Sequence, residues 1–318
     1  MNLRRLCPSI SALALSLPLA ATTAHASPTR SFVLDSASTL SEGKLDGTTV
    51  ESDGSISAGA QTRRTELSGV QSVKSLLVLP DGSAYLGTGN DGKIYQYRGG
   101  AVKPFAETKQ VMVSALASDA RGNLYAGTLP NGKVFVISGS GQARELVALP
   151  GAEHIWSLLY DDAQKVLFAA TGPQGKLFAI DDKGKADVYY DSQDAHIMAL
   201  ARASDGSLVI GTSDRALLVR LRGPGRAEVI YDFEGNEVTA LALRGAQIAV
   251  VANLFPKAIA PPKPPAAPTS GDSHTSGNAP AQTPPPAPDR PSAGKGQLYR
   301  VTAEGQLEKL FTADEGHL

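Results

Sequence analysis

The sequence predicts an all-β chain arranged as a propeller of four-stranded blades, and three observations carry that prediction. A short motif recurs at near-constant spacing. Each copy sits in the same order of apolar runs and turns. No stretch shows the apolar period of a normal-length amphipathic helix.

The motif is a short apolar strand ending in a small residue and, in most copies, threonine. Its copies are Tyr85-Leu86-Gly87-Thr88, Tyr125-Ala126-Gly127-Thr128, Phe168-Ala169-Ala170-Thr171 and Val209-Ile210-Gly211-Thr212, with a weaker fifth at Ala249-Val250-Val251-Ala252. Successive copies are 40, 43, 41 and 40 residues apart. A solenoid coil is shorter, and a sandwich has no reason to repeat a unit of this size.

Each repeat begins with an apolar strand carrying a small residue before leucine, as in Ser75-Leu76, Ala115-Leu116, Ser157-Leu158, Ala199-Leu200 and Ala240-Leu241. A turn such as Pro80-Asp81-Gly82 leads to the motif strand. A tight turn such as Asn90-Asp91-Gly92 follows, with the Asx-Gly chemistry that supplies positive φ. The third strand brings Ile94-Tyr95, Val134-Phe135, Leu177-Phe178, Leu217-Leu218 and Leu298-Tyr299, and a more polar fourth strand closes the unit. This order matches a blade that widens outward from an axis. Small residues fit the crowded inner strand, and the second strand is apolar on both faces. The outer strand meets water and alternates.

Repeat phase sets blade one at 73–107, two at 112–149, three at 154–191 and four at 196–233. Blade five starts at Val238 and resumes at Gly296, after a proline-rich insertion over 255–295 between its second and third strands. Proline at that density favours extended, solvated chain. Gly47–Gly54 resembles a third strand with its turn, and the segment ending Thr65-Glu66-Leu67 resembles a fourth. The N-terminus is therefore expected to give the outer half of a closing blade, making at least six. Gly316-His317-Leu318 falls where that blade's inner strand should begin, so the last blade reads as incomplete at the C-terminus.

Met1–Ala26 has the layout of a bacterial secretory signal: Arg4 and Arg5, an apolar run from Ile10 to Ala21, then Ala24-His25-Ala26. Residues 27–46 read as a flexible lead-in to a propeller over 47–318. The expected location is secreted or periplasmic, with no integral membrane segment once the signal is removed. Cys7, the one cysteine, lies in the signal. Thiol catalysis, disulfides and cysteine-held zinc are thereby excluded from the mature chain. Thirty basic against thirty-one acidic residues leave no field to gather nucleic acid.

The run Asp81–Tyr97 resembles the repeats of bacterial extracytoplasmic propellers, such as those of two-component regulators, and is similar to WD40-like and quinoprotein-like repeats. That resemblance implies the fold and does not specify an activity. The Gly-His and Trp-Asp pairs of true WD40 blades are missing, as is the Asp-box of sialidase-type propellers.

Sites on such a disc are expected on the loops that enter the innermost strands. Those loops bring His154, Asp194, His196, Asn236 and Glu237, with Trp156 two residues beyond His154. His154 and His196 share one repeat phase, which duplication alone explains. Two imidazoles and a carboxylate also suit ligand binding, or acid–base and metal chemistry. Asp191 and Asp194 are too sparse for a calcium loop. The Gly-x-Gly fragments lie in hairpins with no helix following, which excludes a phosphate cradle. No nucleophile elbow, resident metal set or cofactor motif is present. The expectation is a binding or scaffolding module for a protein, glycan or small ligand. The alternatives are a metal-dependent lyase or lactonase using His154, His196 and Glu237, and a structural cell-surface protein.

Overall fold

The computed structural model describes residues 36–60, 62, 64–255 and 294–313. The expected signal segment, most of the proline-rich insertion and Gly316–Leu318 lie outside the described residues. No helix among the described residues is long and apolar enough to cross a membrane. The chain divides into two compact units, Met1–Arg64 and Thr65–Leu318.

The first unit holds a five-residue helix, Ala37–Ser41, capped by the Ser36 hydroxyl, which accepts from the Thr39 amide. A two-stranded hairpin pairs Thr48–Val50 with Ile56–Ala58. The expected third strand thus exists, but its partner is the segment immediately after the turn. Thr65-Glu66-Leu67 carries no strand.

The second unit contains five sheets of four antiparallel strands, each in simple chain order. Blade one comprises Val73–Val78, Ala84–Thr88, Lys93–Arg98 and Ala101–Glu107. Blade two comprises Met112–Ser118, Leu124–Leu129, Lys133–Ile137 and Ala143–Ala148. Blade three comprises His154–Asp161, Val166–Gly172, Lys176–Ile180 and Ala186–Asp191. Blade four comprises Ile197–Arg202, Leu208–Thr212, Leu217–Leu221 and Ala227–Asp232. Blade five comprises Glu237–Arg244, Gln247–Leu254, Lys295–Val301 and Leu307–Ala313. Leu254 pairs directly with Lys295, so the insertion leaves and rejoins the sheet at one hairpin position.

The blades lock by one repeated contact. In blades two to five, a β-branched residue near the start of the first strand enters a small-residue socket on the second strand of the preceding blade. Val113 packs on Gly87, Ile155 on Gly127 and Val238 on Gly211, while Ile197 shares a core with Ala170. All four of these apolar knobs are 0% exposed. Four apolar layers follow, one between each neighbouring pair of blades. Hydroxyls stitch the same seam, with Ser75 Oγ donating to the Val113 carbonyl at 2.9 Å and Ser114 Oγ to that of Ile155 at 2.5 Å.

The threonine of the motif has a separate task. Thr88, Thr128 and Thr171 are buried and donate to the carbonyls of Lys93, Lys133 and Lys176 at 2.8, 3.0 and 2.8 Å, closing the tight turn from within. Thr212 does the equivalent work by accepting from the Leu217 amide at 3.1 Å. Blade five has Ala252 at this position, and there the long insertion replaces the tight turn that the hydroxyl would close.

The described residues form five four-stranded blades where six or more were expected. The hairpin at 48–58 belongs to the separate first unit. Among the described residues, first strands pack side by side from blade one through to blade five, with no comparably extensive contact from blade five back to blade one.

Candidate functional site

Every first strand contains a β-bulge at one position. Pairing slips between Val73 and Ser75, Val113 and Ala115, Ile155 and Ser157, Ile197 and Ala199, and Val238 and Ala240. The extra residues are Lys74, Ser114, Trp156, Met198 and Thr239. A bulge bends its strand and re-aims the side chain it carries. In blade three that side chain is the indole of Trp156, the one tryptophan of the chain.

Trp156 reaches its neighbour across the seam. Its Nε1–H donates to His196 Nδ1 at 3.0 Å, and the two rings meet edge-on with centroids 5.6 Å apart. His154 stacks on the same indole at 5.0 Å and lies 5.9 Å from the His196 ring. The three sequence-predicted aromatic residues are therefore one cluster. Accepting at Nδ1 places the proton of neutral His196 on Nε2. His154 Nδ1 is buried and has no hydrogen-bond partner. A buried polar atom left unpaired costs stability.

Two further residues shape the cluster. Gly172 runs beneath the His196 ring, so closely that a β-carbon there would lie 2.7 Å from Cε1 and 2.9 Å from Cγ. Asp214 accepts from the Ala195 amide at 3.1 Å and faces His196 electrostatically. Repeat phase sets His196 level with His154 and Trp156 level with Met198, so the Trp156–His196 contact runs diagonally between neighbouring first strands and repeat spacing alone does not mark it. Nothing in the sequence marks Gly172 or Asp214.

The remaining predicted residues have other partners. Asp194 is buried, accepting from Thr212 Oγ1 at 2.5 Å and from Arg215 Nε at 2.6 Å. Asn236 accepts from the Phe255 amide at 2.6 Å and donates its own amide to the Asn253 carbonyl, tying the base of the insertion to the entry of blade five. Glu237 is half-buried, and its backbone pairs with Asn253 and bridges to Ser213. Among the described residues no three His, Cys, Asp or Glu side chains converge to hold a metal ion. His154, His196 and Glu237 therefore do not make the metal trio that the lyase alternative requires.

Burial pushes the His196 pKa below the ordinary histidine value of 6.5, positive charge on His154 adds to the effect, and Asp214 opposes it. A depressed pKa means the unfolded chain binds more protons than the folded one between the two values. This contribution to stability is complete above about pH 6.5 and is lost as pH falls from there to the folded pKa. Protonated Nδ1 can no longer accept from Trp156. The emission of Trp156 is therefore expected to titrate with a midpoint below 6.5, and the transition should disappear in His196→Asn. A midpoint above 6.5 would contradict the assigned environment.

Away from this cluster, a concavity of about 230 Å³ lies between blades two and three near the far ends of the first strands. Arg121, Asn123, Tyr125, Arg144 and Asp182 line it, and Arg121 already pairs with Asp182 at 3.2 Å.

No protein-family model matches the chain, and no curated protein matches it. Solved structures do. A streptogramin B lyase is similar at 13% identity and TM-score 0.57, over 85% of this chain and 78% of that one. Virginiamycin B lyase from Staphylococcus aureus is similar at 12% identity and TM-score 0.55, over 83% and 76%. A nidogen/laminin complex is similar at 15% identity and TM-score 0.50, over 57% and 72%. The chain is a β-propeller. At these identities the likeness shows the fold alone, and it spans proteins whose functions differ.

Proposed function

We propose that this propeller is an extracytoplasmic binding module whose ligand-contacting centre is the His154–Trp156–His196 cluster. The observation that carries this reading is the buried, unpartnered His154 Nδ1 beside a half-exposed indole and a second imidazole. The cluster offers aromatic faces and an unused hydrogen bond at the entry to two adjacent first strands. Indole rings supply large contact area with little loss of rotamer freedom. The secretory layout of Met1–Ala26 supports a location outside the cytoplasm, where a glycan, peptide or small ligand would be met.

The second reading is an enzyme of the lyase or lactonase kind. Its support is the imidazole pair, together with fold neighbours that include streptogramin and virginiamycin B lyases. One of those structures is a catalytically inactive histidine variant with quinupristin bound.

Because the chain has one tryptophan, emission at 295 nm excitation reports on the cluster alone. Screening glycans, peptides and quinupristin against the purified protein should reveal a ligand that shifts the emission saturably. His154→Ala should weaken its binding at least tenfold. A ligand found by calorimetry that leaves the emission unchanged and binds the His154→Ala protein equally well would refute this site. Turnover of the bound compound, lost in both His154→Ala and His196→Ala, would favour the enzyme reading.

A further inference from the structure

The fourth strand of every blade carries a charged residue opposite one position of the third strand. Lys103 lies opposite Gln96, Arg144 opposite Val136, Asp187 opposite Ala179, Glu228 opposite Arg220 and Glu308 opposite Arg300. In blades three to five a basic residue of the same blade answers that charge, Lys185, Arg222 and Arg300 respectively. Lys103 and Arg144 have no ionic partner among the described residues, and of the two Arg144 lines the concavity between blades two and three. Val136, directly across from it and also in the lining, is aliphatic and cannot pair with it. The one polar contact of Arg144 among the described residues is to the Glu145 carbonyl at 3.4 Å, which leaves most of its guanidinium donors unused.

The other polar residues of the lining are held in place. Asp119, whose side chain is fully buried, accepts from Asn123 Nδ2 at 2.7 Å and lies 3.5 Å from Arg121 Nε. Arg121 also donates to Asp182 and to the Tyr160 hydroxyl, both at 3.2 Å. The turn that carries Asp182 is itself anchored. Asp181 accepts from the Lys183 and Lys185 amides, and a β-carbon on Gly184 would lie 2.4 Å from the Leu146 carbonyl oxygen of blade two. Arg121 is thus already neutralised, whereas Asn123 Oδ1 accepts nothing from the described residues. Groups fixed before a ligand arrives lose little freedom on binding it.

The lining therefore leaves a guanidinium and an acceptor oxygen to be satisfied. A guanidinium takes a carboxylate through two parallel bonds, and an amide oxygen takes a hydroxyl. The Asp182 carboxylate keeps acceptor capacity beyond Arg121 and Tyr160 and repels a second acid group, which limits the guest to one carboxylate. A volume of about 230 Å³ limits it to a single small ring or a short chain. We propose that the concavity binds a small polyhydroxylated monocarboxylate of the sugar-acid class, with its carboxylate on Arg144 and hydroxyls on Asn123 Oδ1 and Asp182. The site is separate from the His154–Trp156–His196 cluster and does not rest on it.

The test is calorimetric titration of the whole protein with D-galacturonate, D-glucuronate and D-gluconate. Saturable one-to-one binding of at least one of them is expected. D-Galactose, which lacks the carboxylate, and propionate, which lacks the hydroxyls, should each bind at least tenfold more weakly. Arg144→Gln should weaken the sugar acid at least tenfold. Arg144 is exposed and its charge is unpaired, so this variant should melt like the parent protein, which separates lost binding from lost folding. Trp156→Phe should leave the affinity unchanged. The proposal is overturned if none of the three acids binds, if galactose or propionate binds as tightly as they do, or if the Arg144→Gln protein binds equally well. Binding that Trp156→Phe abolishes and Arg144→Gln spares would place the sugar acid at the histidine cluster and overturn it likewise.

Discussion

Gly127→Val is expected to destabilise the propeller by about 3 kcal/mol, the upper end for overpacking a well-filled core. For a domain of this size that is a fall in Tm of roughly 6–12 °C. A β-carbon on Gly127 would lie 2.5 Å from Ile155 Cγ2 and 2.9 Å from Ile155 Cβ, and Ile155 is buried with no free direction of retreat. Backbone strain is not the cause, because Gly127 is absent from the positive-φ glycines and sits in a regular strand. Its counterpart Ala170 shows that one methyl can be housed in a seam of this type, so the branched side chain is the sharper test. Ile155→Ala alone should cost about 2–5 kcal/mol through the cavity it leaves. The double variant should then cost less than the sum of the two by about 1–3 kcal/mol, as expected of groups in direct contact. Chemical denaturation of the four proteins measures the cycle, and strict additivity would show that the seam does not lock at this contact.

Asp194→Ala is expected to cost about 3 kcal/mol, since two hydrogen bonds to a buried carboxylate are lost together. The carboxylate holds Thr212 Oγ1 and Arg215 Nε, and Thr212 in turn holds the Leu217 amide. Its removal loosens the second-to-third-strand turn of blade four from inside. Arg215 is half-exposed and can recover water, which keeps the cost below that of a fully buried pair. Thr212→Val should be largely non-additive with Asp194→Ala, because both cut one network. Ligand-induced Trp156 emission should survive in Asp194→Ala at permissive temperature. Loss of that signal with an unchanged melting curve would instead return Asp194 to the binding site.

Much of this architecture was readable from residue order. Asx-Gly and Pro-Asp-Gly turns punctuate strands whose second member is apolar on both faces, and five copies in phase leave one arrangement that satisfies them all. The threonine staple was also within reach, because Thr88, Thr128 and Thr171 each stand five residues before the lysine whose carbonyl they bind. Side-chain direction at the site was harder. Asp194 lies in an entry loop and reads as solvent-facing, yet its partners are 18 and 21 residues further on and draw it inside. The bulge at Trp156 does leave a trace, because Ile155 and Leu158 share one apolar layer although they are three residues apart, a spacing that a regular strand would place on opposite faces. The sixth blade was inferred from the phase of Gly47–Gly54. That segment does turn and pair, but with Ile56–Ala58 in its own unit and not as half of a larger sheet.

The five bulge residues illustrate how a duplicated scaffold acquires individuality. The positions on either side are held to valine, isoleucine, serine or alanine by the seams, whereas the bulge carries lysine, serine, tryptophan, methionine and threonine in turn. Packing thus withdraws its veto at one point per repeat, and a single codon change there can exchange a cation for a ring or a thioether. The propeller behaves as a dial with five settings, and His154 and His196 have gathered around the one that reads tryptophan.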